Sequence, residues 1–475
     1  VRICVDFGST FTKAALVDLD RGRIVASASH RTTIPAADGS GDILEGYDAC
    51  LAQLVDADPR AADAEALACS SAGGGLRIAV VGNEELVTAE AGRRVALSSG
   101  GKVVDVIAAA GLPDGAPEDG PYRALGQTTR PDVVLLTGGT DGGNAEVIVR
   151  AARDLVEAGW RGPVVVAGNV EAQAEVAAVL AGLPHVLADN VVPRIGVLAP
   201  DSARAAIREM FLSHVIGGKH LSGRADPATG AGHQFTAMVR GATPDVVLTG
   251  VELLARGLDA ERPGVGDVVV VDVGGATTDV HSVVEVDPED GSVDASGLAR
   301  EVVATTPVTR TVEGDLGMRW SAVTTVAEAG LADLEDAAAR RQQDPSYLPD
   351  SDAEADADEA IARAAVGLAL RRHAGRSRVV VSPEGRVVER TGKDLREVAL
   401  MVGSGGVLRN GRPGVADRVL AGSLGAHLEG GWQLPERPRV VVDADYVLAA
   451  AGLLAGQHPD AAYRLAMRVL DPLAG

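Results

Sequence analysis

Aromatic residues make up only 3% of this 475-residue chain. Its core must therefore be filled by valine, leucine, alanine and isoleucine. Cysteine is nearly absent: Cys4, Cys50 and Cys69 form an odd, widely spaced set without a C-x-x-C pair. Such a set supports neither a disulfide framework nor a zinc site and points to a reducing compartment. Positive charge is also short, with 44 Lys and Arg against 66 Asp and Glu, a net charge of −22. A surface this acidic repels phosphate backbones and anionic lipid, so neither nucleic acid nor membrane is expected as a partner. No apolar run approaches the roughly 20 residues of a membrane span. No basic segment followed by an apolar one marks a secretory leader, and the expected location is cytoplasmic.

What the chain does have is glycine, 58 residues of it, and short β-branched runs from end to end. These include Ile3–Val5, Ile78–Val81, Val133–Leu136, Val164–Val166, Val268–Val271, Ala399–Val402 and Val440–Val442. Ala/Leu/Glu-rich stretches with helical spacing lie between several of them, so the fold class is α/β. Runs without strict alternation predict sheets covered on both faces. Ser222–Gln234 reads as a polar loop. Asp344–Glu359 (DPSYLPDSDAEADADE) combines proline with dense acid and reads as an exposed connection.

One glycine–threonine pattern occurs twice. Asp6-Phe7-Gly8-Ser9-Thr10 follows an apolar strand and leads through Lys13 into another strand. Asp272-Val273-Gly274-Gly275-Ala276-Thr277-Thr278 repeats this order of parts. Phosphate oxygens need convergent donors, and glycine lets backbone N–H groups approach without a Cβ. A carboxylate at the strand end can hold Mg²⁺, usually through water, or orient an attacking water. Two such hairpins facing each other would clamp a polyphosphate. Lys13 is either the cationic partner of the phosphates or a charge on the outgoing strand. A third cluster, Gly403-Ser404-Gly405-Gly406, suits close approach to a ribose or a base. Two segments rich in small residues, Thr243–Gly257 and Asp443–Leu454, are read as helices that permit close helix–helix contact.

This order of five pieces resembles that of the actin-like ATPase superfamily, which includes actin, sugar kinases and heat-shock ATPases. The resemblance implies two ribonuclease H-like lobes with a nucleotide cleft between them. Residues 1–257 would form the first lobe, with an inserted βαβα region at 132–190. Residues 258–440 would form the second, and 441–475 would return to the first. ATP and Mg²⁺ are the implied ligands. Gly8, Ser9, Thr10, Lys13, Gly274, Gly275, Thr277, Thr278 and Gly403–Gly406 are the implied nucleotide contacts. Asp272 would orient water or organise the metal, and Asp6 would sit on the Mg²⁺ water shell.

More closely, the chain resembles the MutL/GlmL family, accessory proteins of adenosylcobalamin-dependent glutamate mutase. The matching stretches are Val5–Val17, SSAGGGL at 70–76, LTGGTDGGN at 136–144, AGN at 167–169, VDVGGATTDVHS at 271–282 and TVEGDLGMR at 311–319. This likeness implies an ATP-using chaperone or reactivating factor whose partner is glutamate mutase or a related aminomutase. Cobalamin binding by the chain itself is not expected. The nearest match to the D-x-H-x-x-G signature of the mutase's small subunit, Asp279-Val280-His281-Ser282-Val283-Val284, ends on valine. His281 reads as a packing residue rather than a ligand. Gly138, Gly139, Thr140 and Asp141 end a strand and could line the γ-phosphate side of the cleft. Glu313, Gly314 and Asp315 read equally as a structural turn or a nucleotide contact. Lys102 and Lys219 follow glycines without an evident phosphate to face. The competing readings are a small-metabolite kinase, with Asp141 or Asp189 as acceptor carboxylate, and a nucleotide-dependent scaffold or filament.

Overall fold

In the computed structural model, the two glycine–threonine patterns open two sheets of one plan. Strands β1 (Arg2–Phe7), β2 (Phe11–Asp18) and β3 (Arg23–Arg31) form an antiparallel meander, and β4 (Ala66–Ser70) runs parallel to β1. The chain then leaves this sheet. Strands β5 (Leu76–Gly82), β6 (Gly101–Ala108), β7 (Val133–Leu136), β8 (Val164–Val166) and β9 (His185–Leu187) build a separate parallel sheet, ordered β6-β5-β7-β8-β9. Strand β10 (Val239–Ala242) returns to β4 and completes the order β10-β4-β1-β2-β3. Strands β11 (Val268–Val273), β12 (Thr278–Val283), β13 (Val308–Glu313), β14 (Leu400–Ser404) and β15 (Arg439–Val442) then pair as β13-β12-β11-β14-β15. Three antiparallel strands with two parallel strands beside the first is the order in both lobes, which bears out the two-lobed, ribonuclease H-like expectation. The described residues are all except 36–40, 73–75, 113–116, 118–119, 219, 228–232, 286–306, 383–384, 426–429 and 472–475. Lys219, the glycines of SSAGGGL and the middle of the 222–234 loop lie outside them.

Four helices place the site: α1 (Glu90–Ser98), α2 (Thr243–Arg256), α3 (Asp352–His373) and α4 (Val447–Leu454). Strand β11 is almost wholly apolar because helices cover both of its faces, α2 on one and α3 on the other. Helices α2 and α4 lie in a core shared by Cys4 and Leu67 of the first sheet and Val268, Val270 and Val402 of the second. The small residues matter at their crossing. A Cβ at Gly250 would overlap the carbonyl oxygen of Leu448, and one at Gly452 would overlap that of Val246.

Three sequence readings need correction. The parallel sheet takes in β5 and β6 as well as the 132–190 region. Residues 344–359 are not all connection, since α3 begins at Asp352 and buries Asp358 and Glu359. The Ser351 hydroxyl accepts from the Glu354 amide at 3.4 Å, so S-D-A-E is a helix start that the density of acid obscured. Finally, residues 443–446 form a turn, and α4 starts only at Val447.

Candidate functional site

Both strand-end aspartates, Asp6 and Asp272, line one cleft of about 1530 Å³. In the first lobe Asp6 is buried at the end of β1. Thr243, the first residue of α2, donates its hydroxyl to Asp6 Oδ1 at 2.6 Å, and Lys13 Nζ stands 3.8 Å from Oδ2. Lys13 faces Asp6 because the two are direct cross-strand partners on β1 and β2. The turn between these strands closes when the Gly8 amide donates to Phe11 O at 3.2 Å. A Cβ at Gly8 would lie 2.7 Å from that oxygen, so a side chain there would open the turn.

The second hairpin closes likewise, with the Gly274 amide donating to Thr277 O at 2.9 Å. Its register differs in chemistry, however. The residue opposite Asp272 is Asp279, at the position that Lys13 holds in the first hairpin. Asp279 faces the Arg310 guanidinium at 3.7 Å. Burial pushes the Asp279 carboxyl up to about 6, with Arg310 opposing and Asp272 adding to the rise. Burial also raises Asp272, opposed by Lys13 and reinforced by Asp6.

The tips of the hairpins meet, since a Cβ at Gly275 would sit 3.1 Å from Thr10 Oγ1. Tyr446 ties the two lobes together behind them. Its hydroxyl donates to Asp272 Oδ2 at 3.3 Å, and Lys13 Nζ lies 3.8 Å over its ring. Asp443 accepts from the Val447 and Leu448 amides at 2.7 and 3.2 Å, starting α4, and Tyr446 occupies the left-handed region at φ 59°. The sequence offered no signal for Tyr446 beyond its place in the small-residue segment Asp443–Leu454.

Gly8, Ser9, Thr10, Lys13, Gly274, Gly275, Thr277, Gly405 and Gly406 all line the cleft. Thr278, Gly403 and Ser404 do not: all three lie within strands, and Thr278 and Ser404 are buried. Beside Gly406 the cleft wall is made by Arg412 and by Asp358 and Glu359 of α3, which sequence reasoning missed. Arg418 and Arg412 hold the Glu359 carboxyl down to about 2.

The segment Gly138, Gly139, Thr140 and Asp141 is not on the cleft. It caps β7 at the carboxyl edge of the separate parallel sheet, where Asn190 Nδ2 donates to Asp141 Oδ1 at 2.8 Å. Asp189 is likewise absent from the cleft wall. Gly314 lines the cleft, whereas Glu313 and Asp315 are engaged by Arg372 Nη1 at 2.7 and 2.8 Å. Lys102 also lines the cleft, although its sequence context gave no reason to expect it. His281 is buried on β12, and burial, with Arg310 nearby, holds its imidazole well below the usual range and uncharged.

These residues suit a nucleotide with a hard cation. The Thr10 hydroxyl is buried without a partner at the meeting point of the hairpins. Among the described residues no group of three or more His, Cys, Asp or Glu could hold a metal by itself. A cation would therefore use Asp6 and Asp272 together with ligand oxygens and water, the coordination magnesium favours.

Residues 2–470 match the family described as MutL protein. Protein MutL of Clostridium tetanomorphum is 34% identical over 488 aligned positions, covering 98% of each chain. Among solved structures, nucleotide-free acetone carboxylase overlays with a TM-score of 0.39 and 15% identity, over 95% of this chain and 70% of that one. Xylulose kinase from Bifidobacterium adolescentis gives 0.30 and 14%, over 98% and 93%. Overlays this loose carry no weight beside the strand order. The match over nearly the whole length, with a relative at this identity, shows that the chain belongs to the MutL protein family.

Proposed function

We propose that the chain binds ATP with Mg²⁺ between its two hairpins, hydrolyses it, and uses the resulting lobe motion on a partner enzyme. The observation that supports this best is the pair of like-closed glycine turns, each following an aspartate, that converge on one cleft. The backbone of both turns and the Thr10 hydroxyl would hold the phosphates, and Lys13 would offset their charge. Gly405, Gly406 and the α3 wall would take the adenosine. Magnesium, when bound, supplies charge neutralisation at the phosphate oxygens. Asp272, made more basic by burial, would orient the attacking water and draw on its proton. Loss of the γ-phosphate contacts would then release the hairpins from one another.

The partner proposed is adenosylcobalamin-dependent glutamate mutase or a related aminomutase, and the chain would act as its chaperone or reactivating factor. Family membership supports this association. The kinase reading loses its two candidate acceptor carboxylates, because Asp141 and Asp189 lie off the cleft. Phosphate release from ATP by the purified chain, and co-purification with mutase subunits with and without ATP, test the proposal. Absence of turnover removes the ATPase role, and a mutase that never co-purifies removes the partner.

A further inference from the structure

Arg310 and Arg341 are the two largest fully buried side chains among the described residues. Their surroundings differ sharply. Arg341 donates from every nitrogen: Nε to Asp358 Oδ1 at 2.6 Å, Nη1 to Ala337 O at 2.9 Å and Nη2 to Glu354 O at 2.9 Å. Arg310, on β13, donates from none, and its Nε, Nη1 and Nη2 are all buried without a hydrogen-bond partner. Its nearest acid, Asp279, is 3.7 Å away, an ion pair beyond hydrogen-bond reach, and Asp279 Oδ1 is a buried orphan too. Asp245, the other acid that acts on Arg310, already accepts from Arg208 Nε at 2.6 Å. A guanidinium carries five donors, and native interiors rarely leave buried donors unmet.

The position of Arg310 explains what could meet them. It lines the cleft together with Asp279, Lys102, Gly100 and Gly314. A Cβ at Gly100 would stand 3.1 Å from Arg310 Nη1, and one at Gly314 would stand 2.9 Å from Lys102 Nζ. Larger residues would crowd both cationic heads, and glycine leaves room beside them. The two cations come from different parts of the chain, Lys102 from the separate parallel sheet and Arg310 from the second lobe.

We infer that Arg310 and Lys102 form an oxyanion-binding subsite in the cleft, for the phosphate or carboxylate group of a second ligand beside the nucleotide. A planar guanidinium pairs two donors with two oxygens of such a group, and Lys102 adds a point charge. The subsite rests on the nucleotide reading of the cleft for its role. The experiment separates the two.

Isothermal titration of the full chain with inorganic phosphate, acetate and succinate, each with and without ADP and Mg²⁺, tests it. Saturable binding of at least one oxyanion is expected, weakened about tenfold or more by Arg310→Met and about threefold or more by Lys102→Ala. ADP affinity should stay within about twofold in both variants. Binding of phosphate alone identifies the subsite with the released product of hydrolysis, and binding of a carboxylate identifies a small acid. Should Arg310→Met fail to fold by circular dichroism, the exposed Lys102 carries the test. No saturable oxyanion binding, or binding indifferent to the variants, overturns the inference even if ADP binds normally. Oxyanion binding that depends on Arg310 upholds it even if ADP does not bind.

Discussion

Gly8 and Gly274, 266 positions apart in the chain, close their hairpins with the same bond, each donating its amide to the carbonyl three residues on, at 3.2 and 2.9 Å. A Cβ at either position would fall 2.7 or 2.9 Å from the accepting oxygen, which belongs to backbone and cannot swing away. Gly8→Val and Gly274→Val should each lower ATP affinity by about tenfold or more while costing about 1–3 kcal/mol of stability. Fluorescent-nucleotide titration alongside urea unfolding reads both. Wild-type affinity in either variant would remove that hairpin from the phosphate site.

Asp272→Asn keeps the shape of the side chain and its acceptor for the Tyr446 hydroxyl but abolishes the carboxylate. ATP binding is expected to persist, with turnover reduced about 10²-fold or more. Single-turnover phosphate release measures this. A rate equal to wild type would move the water-orienting role elsewhere.

The crossing of α2 and α4 tolerates no side chain at Gly250 or Gly452, because each faces a carbonyl of the other helix. Gly250→Ala and Gly452→Ala should destabilise by about 1–3 kcal/mol or more. Chemical unfolding of the two variants checks the size, and a loss below about 0.5 kcal/mol would show that the helices can part cheaply.

Burial raises the Asp443 carboxyl to about 6, against its ordinary 3.8. The folded chain therefore holds this proton more tightly than the unfolded chain. The associated stability is complete below pH 3.8 and is lost as pH rises through about 6. Asp443→Asn removes this titration. Between pH 4 and 7.5 the wild type should lose more stability than the variant, by on the order of 2–3 kcal/mol. Asp279 titrates in the same window in both proteins and cancels from the difference. Parallel losses in urea unfolding would show that Asp443 titrates normally.

Much of the site was legible because its chemistry is local. Asp6, Gly8 and Lys13 fall within eight residues, and Asp272, Gly274 and Thr277 within six, and a hairpin brings such neighbours together without help from the rest of the fold. The acidic start of α3 was misread for the opposite reason. Its charge is neutralised by Arg319, Arg341, Arg412 and Arg418, which come from other segments. Composition shows the acid and not its partners. The Gly138–Asp141 turn ends a strand as read, but that strand belongs to the separate parallel sheet, away from the cleft it was expected to line.

The sequence alone determined the α/β class, the two like hairpins and the family, since each depends on residue order over short spans or on likeness along the whole chain. Only the tertiary structure decided that Tyr446 would stand between Lys13 and Asp272, that Lys102 and Arg310 would reach one cleft, and that Arg310 would be buried with its donors unmet. Those relationships join residues dozens to hundreds of positions apart. They are set by how sheets and helices pack, which no local pattern encodes.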